Sequence, residues 1–72
     1  MTYAVRFKAT PEQLAEVRAL RETLKLKKPR EFAERLNPGQ PNPEWAYTFE
    51  FTDVNQATFF GLAVAPRVTR LD

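Results

Sequence analysis

The chain has no cysteine, no histidine and no serine, and its two glycines, Gly39 and Gly61, stand in unrelated contexts. Without cysteine there is no disulfide, and without cysteine and histidine the usual zinc ligands are missing. The nucleophile and base pairs of most hydrolases are missing too, and two isolated glycines cannot form a phosphate-binding loop. We therefore expect a non-enzymatic protein with no catalytic residues, no metal site and no cofactor.

Long apolar runs are also missing. The longest, 59–65, is much too short to cross a membrane, and the first residues do not resemble a signal peptide. A chain of 72 residues forms a single domain, 1–72, with a thin margin of stability. Together with the lack of cysteine, these features predict a cytoplasmic protein with no membrane partner.

What the chain does have is a strand with an aromatic face. Aromatic residues occupy every second position here: Trp45, Tyr47, Phe49 and Phe51. Side chains alternate between the two faces of a strand, so one face of 45–52 is wholly aromatic. Such a face is either core or a base-stacking platform, and we interpret it as core because the predicted helices have nothing else to pack against.

The first half of the chain predicts a strand and two helices. Alternation of Tyr3, Val5 and Phe7 with polar or small residues indicates a half-buried strand. Thr10 and Gln13 then form a capping-box pattern around a proline, and Lys28-Pro29 should break the helix that follows. The apolar stripe of this helix is Leu14, Val17, Leu20 and Leu24.

Pro29 is predicted to open a second short helix. Its inward residues would be Phe32, Ala33 and Leu36, and Asn37-Pro38 would end it. In this helix Glu31 and Glu34 would be solvated surface charges. The segment 37–43, rich in proline, is a connecting loop within the domain.

The segment after the aromatic strand is ambiguous. Asp53 can cap a helix, with Gln56 at the capping-box position, and this helix would run to about Val64 and end before Pro66. A closing strand over 67–71 would follow. The alternative is a strand over 58–65, in a hairpin with 45–52, which the poor helix propensity of its residues favours. We prefer the helix. Glu50 would then contact Arg6 or Lys8 across the sheet.

The predicted fold is α+β, with a small three-stranded sheet and helices packed on one face. The element order is β-α-α-β-α-β, a split βαβ arrangement that resembles a trimmed ferredoxin-like sandwich. Such folds host many functions, so the resemblance implies none.

The apolar run 59–65 is the strongest hint of function. A helix in so small a domain buries about half of its circumference, so either Phe59 with Leu62 or Phe60 with Val64 would stay exposed. We predict a non-enzymatic protein-binding module, a small inhibitor or an accessory subunit. It would dock on a protein partner, or form a homodimer, through Phe59 and Leu62 with help from Trp45.

Two other functions fit less well. A nucleic-acid-binding regulator would use a basic flank along the first helix and the segment after it, although a net charge of +2 is weak for that role. The residues of this basic flank are Arg18, Arg21, Lys25, Lys27, Lys28 and Arg30. A small-ligand sensor, with its ligand beneath the aromatic strand, is the third interpretation.

Overall fold

The computed structural model describes residues 1–71, which form an α+β fold with an antiparallel four-stranded sheet and two helices. The strand order is β2-β3-β1-β4, so β3 and β1 are central and β2 and β4 are edges. The elements are β1 (Tyr3–Ala9), α1 (Pro11–Thr23), β2 (Arg30–Arg35), β3 (Trp45–Phe51), α2 (Val54–Val64) and β4 (Thr69–Arg70).

The aromatic face of β3 points to the core: Phe49 and Phe51 are buried in it, Tyr47 packs against it, and Trp45 at the strand start is only half-buried. In the register of the central strands, Val5 lies opposite Phe49 and Phe7 lies opposite Tyr47, so both apolar faces point to the same side. Phe7, Phe49 and Phe60 are fully buried. The Phe49 and Phe60 rings stack with centroids 5.1 Å apart, and Phe7 is tilted against Phe49 at 5.4 Å.

Helix α1 begins as predicted and ends earlier than predicted. The Gln13 N–H donates to Thr10 Oγ1 at 3.1 Å and the Thr10 N–H donates to Gln13 Oε1 at 2.9 Å, which completes the capping box. The helix ends at Thr23 rather than at Lys28-Pro29. Lys25 adopts a left-handed conformation with φ of 57°, and this residue turns the chain out of the helix.

The predicted second helix over 29–36 is wrong, because this segment forms the edge strand β2. Phe32 lies opposite Thr48 and Ala33 lies opposite Tyr47. The sheet therefore has four strands in place of the predicted three, and the element order is β-α-β-β-α-β. The segment 37–43 joins β2 to β3, and Asn37 Oδ1 accepts a hydrogen bond from the Glu44 N–H at 2.7 Å.

The helix interpretation of the later segment is confirmed, and the alternative strand over 58–65 is wrong. Asp53 Oδ1 accepts from the N–H groups of Asn55 at 2.7 Å and Gln56 at 3.3 Å. Gln56 does not complete a capping box; its Oε1 accepts from the Lys27 N–H at 3.2 Å. The closing strand is only Thr69–Arg70, shorter than the predicted 67–71.

Candidate functional site

Helix α2 has a buried face that the core fully explains. Ala57, Phe60, Gly61 and Val64 point to the sheet at helical spacing. Gly61 allows a close approach: a Cβ there would lie 2.6 Å from Nη1 of Arg70, so the guanidinium of the last strand rests against the helix backbone. This face therefore serves the packing of the domain.

The opposite face of α2 is exposed, and it carries two large apolar side chains beside the polar Asn55 and Thr58. Val54 is 48% exposed, Phe59 is 54% exposed and Leu62 is 72% exposed. Phe59 and Leu62 are neighbours at i and i+3, and we call these two residues the α2 outer face; Val54, five residues before Phe59, lies on the flank of the helix. Of the two pairs considered from the sequence, the structure places Phe59 with Leu62 outside and buries Phe60 and Val64. The 11 residues of α2, VNQATFFGLAV, include no charged side chain, so no ionic group interrupts this surface.

Trp45 lies apart from the α2 outer face. It is half-buried at the start of β3, opposite Ala9 and Arg35. It lines a cleft of about 280 Å³ at the N-terminus of α1, whose walls include Pro11 and Pro43 but neither Phe59 nor Leu62. The three residues that the sequence grouped as partner-binding thus belong to two separate features.

The basic flank is partly neutralised by carboxylates. Arg18 Nε and Nη2 donate to Glu31 Oε1 at 3.0 and 2.8 Å. Arg21, whose side chain is only 12% exposed, has Nη2 3.7 Å from Glu22 Oε1. Glu31 is therefore not a solvated helix charge, as the sequence predicted, but a strand residue that binds α1. The cavity beside these groups, about 400 Å³, has walls of both signs.

The remaining cations of the flank lie on the segment between α1 and β2 and at the start of β2. Lys25, Lys27, Lys28 and Arg30 are exposed. The Arg30 guanidinium stands 5.3 Å from the centroid of the Phe32 ring. The structure thus divides the predicted flank into two paired arginines on the helix and four exposed cations after it.

The sheet face away from the helices carries ion pairs between strands. Arg6 on β1 pairs with Glu34 on β2 at 2.9 Å, and Lys8 pairs with Glu44 at 2.7 Å. The first pair reaches across β3, where Ala46 is small and only 2% exposed. Glu34 is thus a strand residue in an ion pair across the sheet, not the solvated helix charge that the sequence predicted.

The sequence predicted that Glu50 contacts Arg6 or Lys8. These two cations instead pair with Glu34 and Glu44, and Glu50 lies opposite Ala4 on β1 and Arg30 on β2. Within residues 1–71, Phe32 is the sole aromatic ring on this face. The space beneath the aromatic strand, where a sensor would hold its ligand, is filled by the buried rings of Phe7, Phe49 and Phe60.

Within the described part of the chain, no group of three acidic residues is arranged to hold a metal ion. Neither helix of residues 1–71 is long and apolar enough to span a membrane. Comparisons with protein-family models, curated protein sequences and solved structures find no match. Function must therefore be inferred from the surface of the molecule.

Proposed function

We propose that the protein is a non-enzymatic protein-binding module, a small inhibitor or an accessory subunit, that docks on a protein partner through the α2 outer face. The observation that carries this proposal is that Phe59 and Leu62 are exposed next to each other on a helix that has no charged residue. Contiguous exposed apolar surface marks interaction sites in soluble proteins, and the cores of interfaces are depleted of charge and enriched in aromatics.

The spacing suits recognition of a helix by an apolar groove. Phe59 and Leu62 stand at i and i+3, so they are neighbours on the helix surface. Helix-in-groove complexes use anchors at such intervals. We propose that the partner presents an apolar surface with few charges, and that Phe59 is the main anchor.

The fold supports the proposal without specifying it. The element order β-α-β-β-α-β and the strand order β2-β3-β1-β4 support assigning the domain to the ferredoxin-like, split βαβ arrangement. That arrangement accommodates enzymes and binding modules alike. The lack of serine, cysteine and histidine favours a binding module, and the lack of cysteine favours a cytoplasmic location.

The test compares Phe59→Glu with Ala15→Glu, which adds the same charge at an exposed position of α1. A partner captured from the native host is purified, and its affinity for each variant is measured. We expect Phe59→Glu to weaken binding by at least about tenfold, since a charge would be buried at the anchor. Ala15→Glu should bind like the wild type, and Leu62→Glu should reproduce the loss.

Two outcomes contradict the proposal. Phe59→Glu and Leu62→Glu could both bind the partner with unchanged affinity, which would remove the α2 outer face from the interface. Alternatively, both variants could unfold, which would show that Phe59 and Leu62 belong to the core. Thermal melts of the two variants and of Ala15→Glu distinguish these cases.

Titration with generic DNA and RNA tests the nucleic-acid alternative. Binding through Lys27, Lys28 and Arg30 would fall steeply with salt, because phosphate contacts release counterions. We expect no measurable binding at physiological salt. Micromolar binding that weakens about tenfold or more between low and moderate salt, and that is lost in Lys27→Ala/Lys28→Ala, would favour the alternative.

A further inference from the structure

Strand β2 has an edge that no other strand covers within residues 1–71, because the sheet order ends there. The Leu36 N–H donates to the Glu44 carbonyl at 2.8 Å, one position beyond the register that pairs Arg35 with Trp45. Bonded positions alternate in an antiparallel ladder, so 30, 32 and 34 bond to β3 as Leu36 does. The backbone groups of Glu31, Ala33 and Arg35 therefore point to the open edge.

The hydrogen bonds between β1 and β4 show independently which β2 residues point their backbone groups to β3. The Arg6 carbonyl accepts from the Leu71 N–H at 3.0 Å, so position 6 faces β4 and positions 5 and 7 face β3. Their partners on β3 are 49 and 47, which leaves 46 and 48 to bond with β2. Positions 46 and 48 lie opposite 34 and 32, so these again are the β2 residues that bond inward.

The charges of β2 are arranged for pairing with a copy of itself. Its sequence is REFAER, with one basic and one acidic residue at each end. Charges on an edge strand normally discourage pairing with other strands. In an antiparallel pair of two β2 strands, outward-bonding positions must meet each other, so an odd-numbered residue lies opposite an odd-numbered one.

This rule excludes one register that would place like charges together at both ends of the strand. That register sets Arg30 opposite Arg35 and Glu31 opposite Glu34, and it would join outward positions to inward ones. Among the registers that the rule allows, a two-fold axis at Phe32 or at Ala33 brings opposite charges together, whereas an axis at a glutamate would set two glutamates opposite each other.

We propose that β2 pairs antiparallel with β2 of a second copy, about a two-fold axis at Phe32. Arg30 then lies opposite Glu34 of the other copy, twice, and the two Phe32 rings meet at the axis. Glu31 and Ala33 exchange the backbone hydrogen bonds, and the two sheets become one. Phe32, which is 45% exposed, loses most of that exposure.

The existing contacts select this register over its neighbour, in which Glu31 would lie opposite Arg35. Glu31 is bound by Arg18 and its side chain is only 23% exposed, against 67% for Glu34, and Arg35 Nη2 donates to the Gln40 carbonyl at 2.8 Å. Arg30, in contrast, is exposed. Glu34 binds Arg6 through Oε2, and its second oxygen can accept the incoming guanidinium.

The paired molecule presents its two α2 outer faces on the same side of the joined sheet. A dimer of this kind offers a partner two docking surfaces, which raises avidity without any new contact. The pairing does not depend on the α2 outer face, so it stands if the proposed function fails.

Sedimentation of the full chain tests the pairing with two complementary charge variants. We expect the wild type to form a dimer at high micromolar concentration. Arg30→Glu and Glu34→Arg should each weaken the dimer by about tenfold or more, because each sets like charges opposite one another. An equimolar mixture of the two variants should recover a dimer, since each copy then supplies the charge that the other needs.

A backbone variant tests the strand pairing itself. Ala33→Pro removes an outward N–H that makes no bond to β3, and edge strands tolerate proline at such positions. It should abolish the dimer while the monomer stays folded. Ala33→Val is the matched control, since it keeps the N–H and should dimerise like the wild type.

Several outcomes overturn the proposal. A monomeric wild type at high micromolar concentration does so directly, and so does a folded Ala33→Pro variant that still dimerises. A dimer that resists Arg30→Glu but is lost in Arg35→Glu would place the strands in the neighbouring register. A dimer lost in Phe59→Glu but kept in Ala33→Pro would place the contact on α2.

Discussion

The two helices pack on the same side of one sheet, yet they meet solvent in opposite ways. Helix α1 buries only Leu14 and Val17, and the rest of its surface is rich in charge. Helix α2 buries twice as many residues, has no charge and exposes Phe59 and Leu62. Folding requires the buried stripe in both helices. Only α2 has an apolar surface that folding does not explain.

The neighbouring phenylalanines of α2 make this contrast sharpest. Phe60 is fully buried, within 5.1 Å of both Phe49 and Phe51 measured between ring centroids. Phe59, the residue immediately before it, is 54% exposed. A helix selected only for stability could carry a charged residue at position 59, as α1 does on its outer side. The aromatic ring there is the feature that a binding function accounts for.

The largest expected effect comes from removing a buried ring of α2. Phe60→Ala should lower the free energy of unfolding by about 3–5 kcal/mol, because a buried ring leaves a cavity among three other rings. Phe59→Ala should change it by less than about 0.5 kcal/mol, as exposed positions do. Urea denaturation of both variants measures the two values.

Equal losses in the two variants would remove the distinction between the faces of α2. The exposed ring would then contribute to folding, and its surface would need no partner. A loss confined to Phe60→Ala keeps Phe59 available for the proposed contact.

The helix starts could be predicted because their signals are local. Thr10, Gln13 and Asp53 act within four residues of their own positions, so the sequence alone indicates the caps. The exposure of part of α2 was also predictable, since the run 59–65 has no polar residue and a helix in a small domain leaves about half of its circumference outside. Which pair stays outside depends on how α2 rotates against the sheet, and only packing decides that.

Strand β2 could not be predicted because its signals are not local. REFAER has polar residues on both faces, as an edge strand tolerates, so it lacks the alternation that marks a half-buried strand. The spacing of its apolar residues is instead that of a helical stripe, with Phe32, Ala33 and Leu36 at i, i+1 and i+4. The pairing of Glu31 with Arg18 and the free edge of β2 both depend on the register with β3.

Variants of the two N-caps compare the helices with a smaller expected loss of stability. Thr10→Ala should cost about 1 kcal/mol, because the Gln13 N–H loses its acceptor. Asp53→Ala should cost a similar amount, since two N–H groups of α2 lose theirs. Thermal and urea unfolding of each variant measures the costs, and Thr10→Ser, which keeps the hydroxyl, is the control. A change below about 0.3 kcal/mol for both alanine variants would show that packing alone fixes the helix starts.

The smallest expected effect concerns how the helices end. After α1, Lys25 holds a left-handed conformation, and the Leu26 N–H donates to the Arg21 carbonyl at 3.3 Å. After α2, in contrast, the C-cap residue Ala65 has an ordinary φ of −52°. Lys25→Gly should stabilise the protein by roughly 0.5 kcal/mol, because relief of the left-handed strain exceeds the entropy that glycine adds to the unfolded chain. Lys25→Ala removes the same charge but keeps the strain, so it should not be stabilising. Equal urea midpoints for the two variants would mean that the charge, rather than the backbone, decides stability at the end of α1.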